Sequence, residues 1–278
     1  MTGYCDGIFL PVSEMTVPVT SLSVNRGYGA FEFFEVINGK PFFGELHLSR
    51  FENSLRLLRI DCGYEMDKVK FSILEIIDRN RMSSGFIKMF ALPHFPVADQ
   101  FYKASLYIFP VLQEPSYSKE LYSKGAGIEL RKFSRFLPEA KSTNYLSGQY
   151  WNDGFADSSV VDVLYYDDES VRETSRGNVF MVCNHELLTP SKGVLKGITR
   201  QIVLDYCQRA GLKSQLSLFS PEQLMAADEV FLTSTTKHIL PIVEIDGKKL
   251  ATGIPGPVTL QLMAELNTMR SQYGISEA

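Results

Sequence analysis

The chain has 278 residues, 45% of them hydrophobic and 22% charged, and carries a formal net charge of −4. A chain of this size buries roughly three quarters of its unfolded surface in one or two domains, and its mild acidity, with no basic stripe, excludes the electrostatic footprint of a nucleic-acid binder. No apolar run approaches the roughly 18 residues of a membrane span, and the opening Met1-Thr2-Gly3-Tyr4-Cys5-Asp6 lacks the basic and apolar regions of a signal peptide, so a cytoplasmic location is expected.

In chain order, residues 31–37 and 40–43 flank Asn38-Gly39, a strong hairpin signal, and predict paired strands. Helices are expected near 48–58 and 67–80, then strands over 86–92 and 105–109. Around 113–124 the pattern lapses into Pro, Ser, Tyr and Lys, which reads as a linker. A strand over 128–133 leads past Lys141 to a helix ending near Asp153. Strands over 160–166 and 179–182 follow, joined by a connection that carries Arg172, Glu173, Thr174, Ser175 and Asn178. The stripe Ile198, Ile202, Tyr206 and Ala210 predicts an amphipathic helix stopped by Gly211. A buried strand over 229–232, a second apolar run to Ile242 and a helix over 258–273 complete an α+β chain. It divides into an N-terminal domain (1–114), a linker (115–124) and a C-terminal domain (125–278). No repeat, heptad or low-complexity tract interrupts it.

Two loops carry the clearest chemistry. Gly193-Val194-Leu195-Lys196-Gly197-Ile198-Thr199-Arg200 brings a small loop and a hydroxyl to a helix start, whose unpaired amides and positive dipole end favour a phosphate. The other reading is an ordinary helix start. Thr233-Ser234-Thr235-Thr236 places four hydroxyls at a strand end, suited either to phosphate oxygens or to a turn that satisfies its own backbone. Cys5, Cys62, Cys183 and Cys207 have no paired spacing and do not cluster with His47, His94, His185 or His238, so neither a metal site nor a disulfide scaffold is indicated and buried free thiols are expected. His47 is expected to order its helix beside Arg50.

Together with Arg26-Gly27-Tyr28-Gly29, Glu45-Leu46-His47-Leu48-Ser49-Arg50, Lys141-Ser142-Thr143-Asn144-Tyr145 and Pro241-Ile242-Val243-Glu244-Ile245-Asp246-Gly247, these segments resemble the class IV, fold-type IV aminotransferases that depend on pyridoxal 5'-phosphate. That family includes branched-chain and D-amino acid aminotransferases and aminodeoxychorismate lyase. The resemblance implies two α/β domains with the cofactor in the cleft between them, and a homodimer in which the partner's segment near 93–100 helps close the pocket.

By the same resemblance Lys141 forms the Schiff base with the cofactor aldehyde and then carries the proton between the substrate Cα and cofactor C4′. Glu173, given a polar setting by Asn178 and the hydroxyls of Thr174 and Ser175, holds the pyridine nitrogen protonated, which makes the ring an electron sink. Ile198, Thr199, Ser234, Thr235 and Arg50 take the phosphate, with Gly197 in the same loop, and Asn178 is a further cofactor-binding residue. Leu195 packs on the ring and Tyr145 bonds near the phenolic oxygen. The implied reaction moves an amino group between an amino acid and a 2-oxo acid.

Departures from the family pattern bear on the substrate. The loop Arg26-Gly27-Tyr28-Gly29-Ala30-Phe31-Glu32 is shorter than in most relatives. Phe31 stands where the D-amino acid branch has tyrosine, and Ala98-Asp99-Gln100 stands where that branch has its arginine and histidine carboxylate trap, so Gln100 is the residue left at that site. Branched-chain enzymes carry Tyr-x-Arg where this chain has Phe86-Ile87-Lys88. Lys88 can keep the charge without the bidentate fork, the other reading being a solvent-facing strand lysine; with the D-specific anchor lost, the chain is expected to be branched-chain-like rather than D-amino-acid-like. The alternatives are a lyase that eliminates pyruvate from aminodeoxychorismate, against which Phe31-Glu32-Phe33 and Tyr145 both stand, and an inactive pyridoxal-phosphate-binding protein.

Overall fold

The structure is a computed structural model and describes residues 1–94, 101–112, 117–155 and 159–275. It forms two compact units: Met1–Glu114 with Ala140–Asn144 and Gln272–Ala278, and Pro115–Glu139 with Tyr145–Ser271.

The first unit runs β1 (Thr2–Cys5), β2 (Ile8–Pro11), α1 (Leu22–Arg26), β3 (Ala30–Ile37), β4 (Lys40–Pro41), α2 (Gly44–Leu57), β5 (Ile60–Asp61), α3 (Met66–Arg79), β6 (Ser84–Pro93) and β7 (Tyr102–Val111). Among the described residues its sheet has seven strands in the order β2-β1-β7-β6-β3-β4, with β5 parallel to β7. The predicted hairpin forms as Val36 pairs with Pro41 and Ile37 with Lys40, and Asn38 (φ 49°) and Gly39 (φ 72°) both take the left-handed backbone that a two-residue turn needs. Its second strand stops at Pro41 rather than reaching residue 43, because Phe43 turns to φ 52° and caps α2. Hence α2 begins at Gly44, ahead of the expected 48. Its buried stripe is Leu48, Phe51 and Leu55, and that of α3 is Val69, Ile73, Ile76 and Ile77. These helical spacings set α2 against β3 and α3 against β1 and β7.

Residues Ala140–Asn144, assigned from sequence to the C-terminal domain, pack with this first unit. The reason is a set of backbone bonds: Phe31 N–H donates to the Lys141 carbonyl at 3.0 Å and Thr143 N–H to the Gly29 carbonyl at 2.9 Å.

The second unit contains α4 (Lys119–Lys124), β8 (Ala126–Lys132), α5 (Leu146–Asn152), β9 (Val160–Tyr166), β10 (Val171–Thr174), β11 (Gly177–Cys183), β12 (Glu186–Thr189), α6 (Ile198–Ala210), β13 (Ser214–Leu216), α7 (Pro221–Met225), β14 (Glu229–Ser234), β15 (His238–Ile245), β16 (Lys248–Lys249) and α8 (Pro257–Gln272). The expected linker therefore includes a helix, α4. Because β10 pairs with both β9 and β11, the run β10-β9-β8-β15-β14-β11 closes on itself. Apolar side chains including Leu164, Val179, Leu232 and Leu240 fill its core, each worth about 1.5–3 kcal/mol when fully buried. Gly211, at φ 68°, ends α6 as predicted. The four cysteines are unbridged, though only Cys62 and Cys207 are buried; Cys5 and Cys183 are half-exposed. No helix among the described residues is long and apolar enough to cross a membrane.

Candidate active site

In the first unit, strand alternation buries Ala30, Glu32, Phe34 and Val36 of β3 and leaves Phe31 and Phe33 half-exposed. A carboxylate on an apolar face needs partners, and α2 supplies them. Arg50 donates from Nε to Glu32 Oε2 at 2.9 Å and from Nη2 to Oε1 at 2.6 Å, while His47 Nδ1 lies 3.2 Å from Oε1. Burial pushes the Glu32 carboxyl up, but Arg50 and His47 more than reverse this and hold it far below the usual range. Burial also pushes His47 down; Glu32 opposes this, while Arg50 and Lys141 add to the fall. His47 thus sits beside Arg50 as a neutral side chain, and the forked grip on Glu32 orients the guanidinium expected to meet a phosphate.

The backbone of Lys141 is gripped on both sides, since its N–H donates to Ser54 Oγ at 3.0 Å and its carbonyl accepts from Phe31. Thr143 anchors the same segment through its hydroxyl, which donates to the Gly27 carbonyl at 2.9 Å. A side chain on Gly29 would lie 3.1 Å from both Ser23 Oγ and Thr143 Oγ1, so glycine permits this close approach. Lys141 Nζ lies 4.4 Å from the Phe31 ring centre, and Lys88 Nζ lies 6.0 Å from the same centre and 5.1 Å from that of Phe90. Lys88 is half-buried, and burial pushes its pKa down. Among the described residues it makes no hydrogen bond or ion pair, only these aromatic contacts. Lys141, Phe31 and Lys88 are therefore gathered in one unit, whereas Gln100 lies outside the described residues.

In the second unit, Glu173 lies within β10 and is buried, not in a strand-connecting loop as the sequence suggested. Its polar setting also differs from the expected one. Arg135 Nη1 donates to Oε1 at 2.8 Å and Leu195 N–H to Oε2 at 2.9 Å, whereas the Thr174 hydroxyl donates to the Gly177 carbonyl and that of Ser175 to Asp162. Asn178, opposite Glu173 in the β10–β11 ladder, donates to the Leu195 carbonyl at 2.8 Å. Leu195 is thus held through both its N–H and its carbonyl. A side chain on Gly197 would lie 2.0 Å from Asn178 Oδ1, so only glycine fits before α6.

The first turn of α6, with Ile198 and Thr199, has no side-chain cap. Ser234 ends β14, and its hydroxyl accepts the Lys237 N–H at 3.0 Å. This is the self-satisfying turn weighed from sequence, although accepting there leaves the hydroxyl able to donate. Thr235 follows, half-buried, and beside them the buried Thr233 hydroxyl has no partner among the described residues. Tyr145 lines a cavity of about 220 Å³ with Gln149, Asn152, Ser175 and Arg176.

Besides the Glu32–Arg50 pair, sequence reasoning missed two further buried pairs. Arg135, the partner of Glu173, carries no spacing signal. Lys237 and Asp162 are fully buried and 2.8 Å apart; a lysine between four hydroxyls and an apolar strand was the available clue.

A family model described as amino-transferase class IV matches residues 29–245. The chain belongs to the class IV aminotransferases. This aminotransferase is 27% identical over 269 residues to a D-alanine aminotransferase of Bacillus licheniformis, covering 94% of each chain. It is 25% identical over 282 residues to a putative branched-chain-amino-acid aminotransferase of Methanocaldococcus jannaschii, covering 98% of this chain and 97% of the other. Its fold matches that of the T.th. branched-chain amino acid aminotransferase solved with pyridoxamine 5'-phosphate, at a TM-score of 0.89 and 24% identity over 98% of this chain and 95% of that one. It also matches the branched-chain aminotransferase of Thermoproteus uzoniensis solved with norvaline, at 0.85 and 25% identity over 97% and 94%.

Class IV aminotransferases work with pyridoxal 5'-phosphate, and the residues of this aminotransferase fit that group. The first unit offers an amine on a clamped backbone, and the second offers a buried carboxylate, an uncapped helix start, a row of hydroxyls with one buried and unpartnered among the described residues, and a glycine that admits no side chain, all of them groups of the kind it takes.

Proposed function

We propose that this protein is an aminotransferase of the branched-chain type, moving an amino group between an L-amino acid with an apolar side chain and a 2-oxo acid by a ping-pong route. The observation that carries this reading is the Phe31 ring flanked by the ammonium groups of Lys141 and Lys88. Lys88 supplies a cation for a carboxylate, and Phe31, Phe90 and Phe33 supply an apolar wall.

Bound cofactor supplies an electron sink for the charge left when Cα loses its hydrogen. Lys141 binds the cofactor's aldehyde end and moves the proton at Cα. Glu173 holds the proton of the ring nitrogen, and Leu195 packs on the ring. Tyr145 meets the phenolic oxygen. Arg50, Ile198, Thr199, Ser234 and Thr235 hold the phosphate, with Asn178 and Gly197 shaping the approach. The family resemblance further supports a homodimer in the cytoplasm; a monomer that retains full activity would refute the dimer.

The test is a panel of L-leucine, L-isoleucine, L-valine, D-alanine and D-glutamate with 2-oxoglutarate as acceptor. The branched L-amino acids are expected to turn over fastest, and preference for D-alanine would sink the branched-chain reading. Release of pyruvate from aminodeoxychorismate without any oxo acid acceptor would sink amino transfer itself. In the same assay Lys88→Ala is expected to raise KM about 10–100-fold with a smaller change in kcat, the scale of a charged hydrogen bond worth about 1.5–3 kcal/mol. Because burial lowers the Lys88 pKa, parent KM should climb with pH before an ordinary lysine would lose its charge, and this climb should vanish in Lys88→Ala.

Gly197→Ala tests the phosphate cradle. Its new methyl group displaces Asn178 and breaks the bond to the Leu195 carbonyl, a loss of about 1–3 kcal/mol. Equilibrium dialysis should show pyridoxal phosphate bound at least about tenfold more weakly; unchanged affinity would remove this loop from the site.

A further inference from the structure

Glu173 is the only group assigned to the ring nitrogen, yet its side chain is 5% exposed and is paired with Arg135, itself 11% exposed. A carboxyl so buried drifts toward its neutral form unless a cation holds it charged. A neutral carboxylic acid at that position no longer accepts the ring proton, and the electron sink weakens.

We propose that Arg135 is a positioning residue that keeps Glu173 ionised and aimed at the ring nitrogen, so that an arginine–glutamate pair, not a lone glutamate, sets the electronic state of the cofactor. This inference rests on the reading above that Glu173 meets that nitrogen.

The geometry supports it at each carboxylate oxygen. Oε1 accepts from Arg135 at 2.8 Å and Oε2 from the Leu195 N–H at 2.9 Å, from two separate segments of chain. A carboxylate has about four lone-pair sites, more than these two bonds occupy. Burial alone would lower the Arg135 pKa, but Glu173, with Tyr145 and Tyr165 adding, holds it above the ordinary arginine value.

The other groups facing Glu173 do not replace Arg135. Arg200 on α6 feels its charge, but donates to Thr189 Oγ1 at 3.2 Å and the Pro190 carbonyl at 2.7 Å instead. Tyr165 on β9 has its phenol pushed up, first by burial and in lesser part by Asp162 and Glu173, so it contributes no positive charge. Asn178, opposite in the ladder, is neutral.

The experiment compares the parent with Arg135→Leu, Arg135→Gln, Arg135→Lys and Glu173→Gln, all loaded with pyridoxal phosphate, between about pH 5.5 and 9. Two quantities are read: the visible absorption of the bound cofactor without substrate, and the rate of the half-reaction with the best donor. Without the guanidinium the Glu173 carboxyl titrates higher, so it is protonated at the acid end and ionised at the alkaline end. Arg135→Leu and Arg135→Gln should therefore show an absorption titration that the parent lacks. Their half-reaction should slow as pH falls, about tenfold for each unit by which Glu173 titrates above the working pH, and approach the parent as pH rises. Arg135→Lys should follow the parent, because charge is restored.

If Arg135→Gln keeps the parent's pH profile and spectrum, the inference is overturned, whatever its melting temperature. Arg135→Gln retains a neutral hydrogen-bond donor on a shorter side chain, which keeps the test open should Arg135→Leu fail to fold. If Glu173→Gln itself changes neither spectrum nor rate, the reading of Glu173 fails, an outcome distinct from failure of Arg135 alone.

Discussion

Lys141→Ala is expected to lower amino transfer by about 10⁴-fold, the upper end for a positioned acid–base group, because the same amine also binds the cofactor covalently. The side chain is the only part of Lys141 that the substitution removes. Its N–H still donates to Ser54 Oγ and its carbonyl still accepts from Phe31 N–H, so the segment beside β3 stays in place. The half-exposed side chain packs against the Phe31 ring, and with the backbone bonds kept the melting temperature should stay near that of the parent. The informative comparison is between turnover and stability. A folded Lys141→Ala protein that binds pyridoxal phosphate, yet releases no oxo acid from the donor, bears out the assignment. One that turns over at even a tenth of the parental rate would remove Lys141 from the chemistry and leave the reaction without an assigned base.

The second large effect concerns stability of the second unit. Asp162 and Lys237 are both fully buried, with Nζ 2.8 Å from Oδ2. Asp162 Oδ1 also accepts the Val163 N–H at 2.9 Å and the Ser175 hydroxyl. Lys237 Nζ lies 5.4 Å from the Tyr117 ring centre, and its carbonyl accepts the Tyr122 hydroxyl at 3.0 Å. The pair therefore ties β9 to the turn after Ser234. Breaking a buried pair by removing one partner costs about 3–5 kcal/mol because a charge is left uncompensated. Lys237→Met should lose that much in urea unfolding, and combining it with Asp162→Leu should recover a large part.

The pH dependence gives this prediction a sign. Burial pushes the Asp162 carboxyl up, but Lys237 and Arg176 more than reverse it, leaving the folded value below the ordinary aspartate value of 3.8. A depressed acid stabilises the fold above its unfolded value and loses that contribution as pH falls through the folded one. Parent stability should consequently owe nothing to Asp162 titration between about pH 5 and 8, and should drop only below about pH 4. In Lys237→Met the same carboxyl is buried without its cation and its value moves above the unfolded one. Stability of that variant should then fall as pH rises from about 4 to 7, the opposite slope. Parallel curves for parent and variant would show that Asp162 is compensated elsewhere.

Local patterns in the chain account for much of the architecture. Asn38-Gly39 needs no tertiary partner to turn, because both residues tolerate the left-handed backbone. The stop at Gly211 likewise ends α6 by a single backbone requirement, whereas its apolar buried face runs through Ile198, Ile202, Val203 and Cys207 and leaves the expected Tyr206 half-exposed and Ala210 exposed. Where boundaries slipped, a local signal was overridden by the next element. Phe43 reads as a strand residue, yet it turns to start α2, because chain reversal there brings Leu48 and Phe51 onto the sheet.

At the site, what the chain alone determined was which residue types stand in the family's order: Lys141, Glu173, the loop before Ile198 and the hydroxyls at Ser234 and Thr235. Tertiary structure decided their partners. Arg50 reaches Glu32 across 18 positions, Arg135 reaches Glu173 across 38, and Lys237 reaches Asp162 across 75. No periodicity or spacing records such pairings, because a buried charge is matched by whichever opposite charge the packed elements carry into reach, and sequence separation has no bearing on that. The same holds for Phe31 between Lys141 and Lys88, a grouping that exists only once β3 has paired with β6 and residues 140–144 have returned to lie beside Gly29.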